Sequence, residues 1–257
     1  MGQEVCRAIL ADPDLSLVAG VDPSAAGQLL EVEITSGDAA GEAHGARPAS
    51  IAILGDPDGL GGREVDVAVD FTRASAAMEN LRWCAAHGVH AVVGTTGFSS
   101  REEDEIRAMF VGAPANCVLA ANFAIGAVLM MRFAEMAAPY MSGAEIIEMH
   151  HRAKLDSPSG TAAMTARRIA AAGLGSAGSA AGGSLAASQA EVPVHSVRLD
   201  GMLSHQEVVL GGPGQVLTIR HDSLDRSSFM PGVLLAVKAV GAHPGLTIGL
   251  DRLLNLV

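Results

Sequence analysis

A chain of 257 residues with 49% apolar content suits one large α/β domain or two smaller ones, and its 3% aromatic share means a core built from Ala, Val, Leu, Ile and Met. A formal net charge of −11 excludes the basic face that nucleic-acid binding requires, but not a locally cationic pocket for a small anion. The apolar window 124–137 is broken by Arg132 and Glu135 and is too short to cross a bilayer. No signal peptide is read, and Cys6, Cys84 and Cys117 lack metal-ligand spacing, so the expectation is reduced thiols in a cytoplasmic protein with no membrane partner.

The first eleven residues predict a helix with Val5, Cys6, Ile9 and Leu10 apolar. LSLVAGVD (15–22) predicts a strand ending at Asp22. EVDVAVDFT (64–72) predicts a buried strand, followed by a helix over 75–87. HAVVGTTGF (90–98) reads as a strand and then a Gly/Thr turn, and 99–110 as a helix with acids at the end where the helix dipole favours them. CVLAANF (117–123) is another strand, with a long helix over about 125–140. Apolar strands alternating with helices mean a parallel sheet with crossovers. Gly59-Leu60-Gly61-Gly62 precedes a strand rather than following one, so it reads as a turn and not as a dinucleotide-binding glycine loop.

The pattern changes after Phe123. AEIIEMHH (144–151) predicts a strand and 158–172 a helix, and the Gly/Ala/Ser stretch over 171–191 reads as a flexible loop. VPVHSVRL, SHQEVVLGG and GQVLTIRHDS are β-rich runs that suit a mixed or antiparallel sheet. A helix over 227–241 and a short strand, LTIGL (246–250), close the chain. The fold class is α/β, then an open sheet, then a return.

The stretch HHRAKLDSPSGTA (151 and its neighbour at 150 through Ala162) concentrates the chemistry. Of 17 basic residues only Lys154 and Lys238 are lysines, and an ammonium, unlike a guanidinium, releases a proton. His150, His151 and Lys154 put three proton-active groups in five residues where a strand ends. Ser157 is expected to cap the following helix with Pro158 at its first position, which aims the N–H groups of Ser159, Gly160 and Thr161 at an anion. The plainer reading is surface histidines beside an ordinary helix cap. Taken together the groups favour a small carboxylate substrate with a proton donor beside it. Zinc held by His150, His151, His205 and Asp156 is disfavoured, because adjacent histidines rarely reach one ion and neither HxxxH nor CxxC is present.

Asp70-Phe71-Thr72 and Gly94-Thr95-Thr96-Gly97 each follow an apolar strand, where open parallel sheets bind ligands. Asp22 ends another strand and can accept hydrogen bonds from an adenosine ribose. Any one of these alone is a loop; together they trace a rim that fits a dinucleotide.

VDFTRAS, HAVVGTTGF, AANFAIGAVLMMRF, EMHHRAKLDSPSGTA, VPVHSVRLDG and LTIRHDSLDRSSFMPGVLLAV carry a resemblance over nearly the whole chain. The sequence resembles the dihydrodipicolinate reductase family; the HHxxKxDxPSGTA run is the specific element, whereas GTTGF alone is weak. The resemblance implies a Rossmann-like dinucleotide-binding domain over 1–122 and 230–257, and an α+β substrate-binding and tetramerisation domain over 123–229. It implies a homotetramer, and hydride transfer from NADH or NADPH to a cyclic unsaturated dicarboxylate, dihydrodipicolinate or 4-hydroxy-tetrahydrodipicolinate, to give tetrahydrodipicolinate on the diaminopimelate–lysine route.

Residue by residue, the resemblance makes His150 the catalytic proton donor, Lys154 a second donor and His151 a substrate contact. Gly160 and Thr161 become the carboxylate-binding helix start. Phe71 and Thr72 belong to the cofactor rim, and Gly94, Thr95 and Thr96 to its nicotinamide-side loop. Ala120, Ala121, Asn122 and Phe123 become the cofactor-contacting hinge. Asp22 takes the ribose position, where its charge would repel a 2′-phosphate and so favours NADH. Family members begin with a strand and a GxxGRMG-type loop, of which only Met1-Gly2 could be the tail here, so the expectation is a natural start further upstream. Two other functions fit parts of the pattern: a cofactor-deficient oligomeric dicarboxylate-binding protein, and another Rossmann oxidoreductase of the aspartate pathway. An aspartate-semialdehyde enzyme would need a nucleophilic cysteine in a site loop, and Cys84 and Cys117 fall in a helix and a strand instead.

Overall fold

A computed structural model describes residues 1–37, 43–60, 62–174 and 192–256, with only the backbone described over 33–37 and 43–47. The chain divides into two compact units, Met1–Ala120 with Met230–Gly249, and Ala121–Phe229 with Leu250–Val257. The sequence reading carries residues 250–257 with the first unit. In the structure they go with the second, where Asp251 takes two hydrogen bonds from Arg168, both at 2.7 Å.

The first unit begins with α1 (Gly2–Ala11), which buries Val5, Cys6 and Ile9, one stripe at helical spacing. The strand expected over 15–22 shrinks to β1 (Gly20–Val21), because only Gly20 and Val21 find ladder partners, at Ile53 and Leu54. A hairpin that sequence patterning missed follows: β2 (Leu29–Gly37) pairs antiparallel with β3 (Ala43–Leu54), and β3 pairs parallel with β1. Next come β4 (Val67–Asp70), α2 (Ala74–His87), β5 (His90–Val93), α3 (Ser100–Phe110) and β6 (Cys117–Leu119). Helix α3 starts where Ser99 and Glu102 form a reciprocal capping box. Ala91, Val92 and Val93 of β5 are buried on both faces of the sheet, as a central parallel strand requires. Leu81, Ile106 and Phe110 pack the helices against it, each burial contributing about 1.5–3 kcal/mol.

The second unit opens with α4 (Ile125–Ala137), extended by a 3-10 turn over Ala138–Tyr140, which together match the helix expected over about 125–140. Then come β7 (Gly143–His150), α5 (Gly160–Ala172), β8 (Val194–Arg198), β9 (Ser204–Gly212) and β10 (Gln215–Ser223). They form a mixed sheet in the order β10–β9–β7–β8, with β8 parallel to β7 and β9 antiparallel to it. Along β7, Ala144, Ile146, Glu148 and His150 are buried and alternate with more exposed residues. Helices α4 and α5 pack on this sheet. A Cβ at Gly126 would come within 2.6 Å of the His221 ring, so only glycine allows α4 to lie this close to β10. The flexible loop expected over 171–191 lies, from residue 175 on, outside the described residues.

The chain returns to the first unit through α6 (Met230–Ala239) and β11 (Leu246–Ile248). The helix expected over 227–241 is α-helical only in its middle, with 3-10 turns at Arg226–Phe229 and Val240–Ala242. Strand β11 completes an all-parallel sheet in the order β11–β6–β5–β4. The α/β class, with a parallel sheet in one unit and an open mixed sheet in the other, is thus the one that the sequence predicts.

Candidate active site

In the second unit β7 ends at His150 and the chain then curls away. Period-2 alternation puts Glu148 and His150 on one strand face. Glu148 has no solvent exposure and His150 retains 9%. The His150 Nδ1 lies in close hydrogen-bonding contact with Glu148 Oε2, and its Nε2 stands 3.1 Å from Ser204 Oγ on β9. Arg198, register partner of His150 on β8, donates through both terminal nitrogens to the Glu148 carboxylate at 2.8 and 3.0 Å. Burial opposes ionisation of Glu148, but hydrogen bonds from Arg198, Ser196 and His150 outweigh it and hold the carboxyl below the usual glutamate range. For His150, burial is the largest influence and keeps the ring below its ordinary pKa; Glu148 opposes it, while the charges of Lys154 and Arg198 add to it.

His150, Ser159, Thr161, Asn122, Ser204 and Gln206 share the walls of one small cavity. Helix α5 starts beside it. The cap is Ser159, not Ser157, and the first helical residue is Gly160, so Pro158 lies outside the helix. The correction is physical: Ser159 has the extended backbone of a cap, and its Oγ accepts the Ala162 N–H at 3.2 Å. The N–H groups of Gly160 and Thr161 are therefore the ones left over at the helix start. Gly160 is exposed, and a Cβ there would meet nothing within 4 Å. Asn122 ties the neighbouring helix starts together: its Oδ1 accepts the Ala124 N–H at 2.8 Å and its Nδ2 donates to Thr161 Oγ1 at 3.1 Å.

Lys154, His151 and Gly160 do not line that cavity. Lys154 is half-buried in the loop after β7 and its ammonium pairs with Asp156 at 2.8 Å. His151 is exposed beyond the strand end. Gln206, which pattern reading passed over, is buried on β9. Thr165 spends its hydroxyl hydrogen on the Thr161 carbonyl at 2.8 Å, so Gln206 must offer it Nε2, also at 2.8 Å; this leaves Gln206 Oε1 without a hydrogen-bond partner among the described residues. Among those residues no group of three or more His, Cys, Asp or Glu side chains is arranged to hold a metal ion.

In the first unit Asp70, at the carboxyl end of β4, organises both turns that the sequence singled out. Its Oδ1 accepts from the Thr72 N–H, the Thr72 hydroxyl and the Thr95 hydroxyl at 2.7–2.9 Å, and its Oδ2 from Asn80 at 2.7 Å. Thr95 thus points inward and shapes the turn, while Thr96 is exposed. A Cβ at Gly94 would fall 2.0 Å from the Phe71 ring, so glycine is required where that ring crosses the strand end. Asp22 follows β1 and is exposed; hydrogen bonds from the Ser24 hydroxyl and N–H, both to Oδ1, hold it below the usual aspartate range. An ionised carboxylate at a strand end, with both Ser24 bonds on one oxygen, suits ribose hydroxyls. Ala120 donates its N–H to Val93 and ends the first unit, Ala121 begins the second, and Phe123 is buried.

A parallel-sheet unit with turns at its strand ends, and a second unit with a buried histidine beside a helix start, suit the class of α/β oxidoreductases that use a nicotinamide nucleotide. Comparison sharpens the class to a family. The N-terminal profile of dihydrodipicolinate reductase matches residues 1–123 and the C-terminal profile residues 126–254. This chain belongs to the dihydrodipicolinate reductase family. It is 46% identical over 265 aligned residues to the 4-hydroxy-tetrahydrodipicolinate reductase of Nocardia farcinica, covering 100% of this chain and 95% of that one. It is 53% identical over 201 residues to the enzyme of that name from Thermobifida fusca, covering 74% and 82%. Among solved structures, a dipicolinate-bound dihydrodipicolinate reductase from Paenisporosarcina sp. TG-14 matches with 33% identity and a TM-score of 0.73, over 98% of this chain and 94% of that one.

Proposed function

We propose that this chain reduces dihydrodipicolinate, or 4-hydroxy-tetrahydrodipicolinate with loss of its hydroxyl as water, to tetrahydrodipicolinate. The observation that carries the reading is that His150, with its Nε2 3.1 Å from Ser204 Oγ, lines a cavity that also borders the start of α5. A bound NADH or NADPH supplies the hydride, held through Asp22, the Phe71–Thr72 and Gly94–Thr96 turns, and the stretch Ala120–Phe123. The second unit holds the substrate. One carboxylate is met by the N–H groups of Gly160 and Thr161, where the helix dipole adds to the hydrogen bonds. Hydride addition consumes one π bond of the ring and leaves an electron pair on the adjoining atom. His150 protonates that atom from Nε2, and Lys154, with His151 at the rim, supplies positive charge toward the second carboxylate. Positioning of this kind is able to contribute several kcal/mol to the barrier.

The sheet face opposite α4 and α5 carries Val197 and Val216, exposed by 38% and 69%, and is the self-association surface of a homotetramer in this reading. No helix among the described residues is long and apolar enough to cross a membrane. Work in the cytoplasm belongs to the same proposal. Steady-state oxidation of NADH by the purified chain, with freshly generated substrate, tests the function. Substrate-dependent oxidation is expected. Oxidation that does not depend on the cyclic dicarboxylate would overturn the reading.

A further inference from the structure

Proton donation needs an imidazole of fixed tautomer, and the means of fixing it lies beneath the ring. Glu148 is fully buried, and a lone buried carboxylate would take up a proton. The Arg198 fork prevents this by neutralising it through two hydrogen bonds, at 2.8 and 3.0 Å. An ionised carboxylate only accepts, so the His150 nitrogen in contact with it must carry hydrogen. That leaves Nε2, 3.1 Å from Ser204 Oγ, as the atom that gains and loses the proton. The Ser204 hydroxyl rotates to suit either state, accepting from Nε2–H or donating to bare Nε2.

We propose that Glu148 is a positioning residue that fixes His150 as its Nδ1–H tautomer and sustains the imidazolium, leaving Nε2 to deliver the proton to the substrate. The proposal rests on the reductase reading above. In the step, the Nε2–H bond breaks and a bond from that hydrogen to the substrate atom bearing the electron pair forms. The imidazole is left neutral with Nδ1–H still donated to Glu148, and water re-protonates Nε2.

The groups facing the ring set its titration. Glu148 on β7 favours the cation; Arg198 on β8 and Lys154 in the following loop oppose it, with Asp156 partly offsetting Lys154. From β9 and β10, His205 and His221 border the same cavity, and His205 is tied to Asp222 at 2.6 Å. His221 is pushed by burial below its ordinary pKa, which disfavours its charged form.

The test has two arms. In the wild-type protein, 15N-detected NMR of the His150 ring should find hydrogen on Nδ1 and titration at Nε2; a neutral ring carrying its hydrogen on Nε2 overturns the proposal without any variant. In Glu148→Gln the ring pKa should fall by about one unit or more. The basic limb of kcat, which falls as the ring loses its proton, should move to lower pH by the same amount. At pH values above both limbs turnover then drops about tenfold per unit, and acidification recovers it. Glu148→Asp, which keeps the charge, should recover part of the shift. A uniform loss of kcat with an unmoved limb would make Glu148 merely structural and sink the proposal. A wild-type chain without reductase activity would instead sink the reductase reading and the catalytic role with it, while ring NMR would still decide whether Glu148 sets the tautomer.

Discussion

At Ser159 one hydroxyl sets the geometry of the proposed anion site, because its bond to the Ala162 N–H decides which helix N–H groups remain for a ligand. Ser159→Ala should cost about 1 kcal/mol of stability and raise the KM for the dicarboxylate more than it lowers kcat, as thermal denaturation and steady-state kinetics would measure. Gly94 is constrained by a different force. The Phe71 ring occupies the space a side chain would need, so Gly94→Ala must displace the ring or the strand end. A loss of about 1–3 kcal/mol and weaker NADH binding are expected, read by chemical denaturation and by cofactor fluorescence. In the proposed cofactor site Asp22 acts through its charge, which repels a 2′-phosphate, and by accepting hydrogen bonds from ribose hydroxyls. Tighter binding of NADH than of NADPH is expected, and Asp22→Ala should narrow the difference, which fluorescence titration with both cofactors would show.

Ion pairs do at the element scale what single hydroxyls do locally. Arg168 of α5 grips Asp251 through two bonds of 2.7 Å and so holds the segment after Leu250 to the second unit. The pair keeps Asp251 below the usual aspartate range, chiefly through the Arg168 hydrogen bonds and against the effect of burial. A depressed folded-state pKa stabilises at neutral pH, and the contribution is lost as pH falls through and below the ordinary aspartate range. Arg168→Met should therefore destabilise by about 3 kcal/mol at pH 7, and the gap from wild type should close on acidification, as urea denaturation across pH would record. Legibility in the sequence also divides by element. β4, β5 and β6 are short apolar runs and were readable as such, and α3 announces itself through Ser99 and Glu102. The β2–β3 hairpin was not readable: Glu31 and Glu33 dilute one strand, and Gly45 and Pro48 interrupt the other. The expected strand over 15–22 failed because strand length is set by ladder partners, which no local pattern reveals.

For the whole molecule, the family was legible because the proton-active groups and the helix start crowd one short segment, HHRAKLDSPSGTA. What supports that segment was not, because its partners come from far along the chain. Nothing in the local pattern marks Glu148, an acid within an apolar strand, because β8 brings Arg198 to it across 50 residues, and Ser204 reaches His150 from 54 residues away. The choice between Ser157 and Ser159 as cap was equally hidden, since both are capping residues two positions apart and only the backbone conformation separates them. The central claim is that the His150 Nε2 protonates a dicarboxylate bound at the start of α5. The most direct measurement is turnover of His150→Gln beside calorimetric binding of dipicolinate and of NADH to the same protein. A fall in kcat of about 10²–10⁴-fold with both affinities within a few-fold of wild type is the predicted result. Turnover equal to wild type, with both ligands still bound, would contradict it.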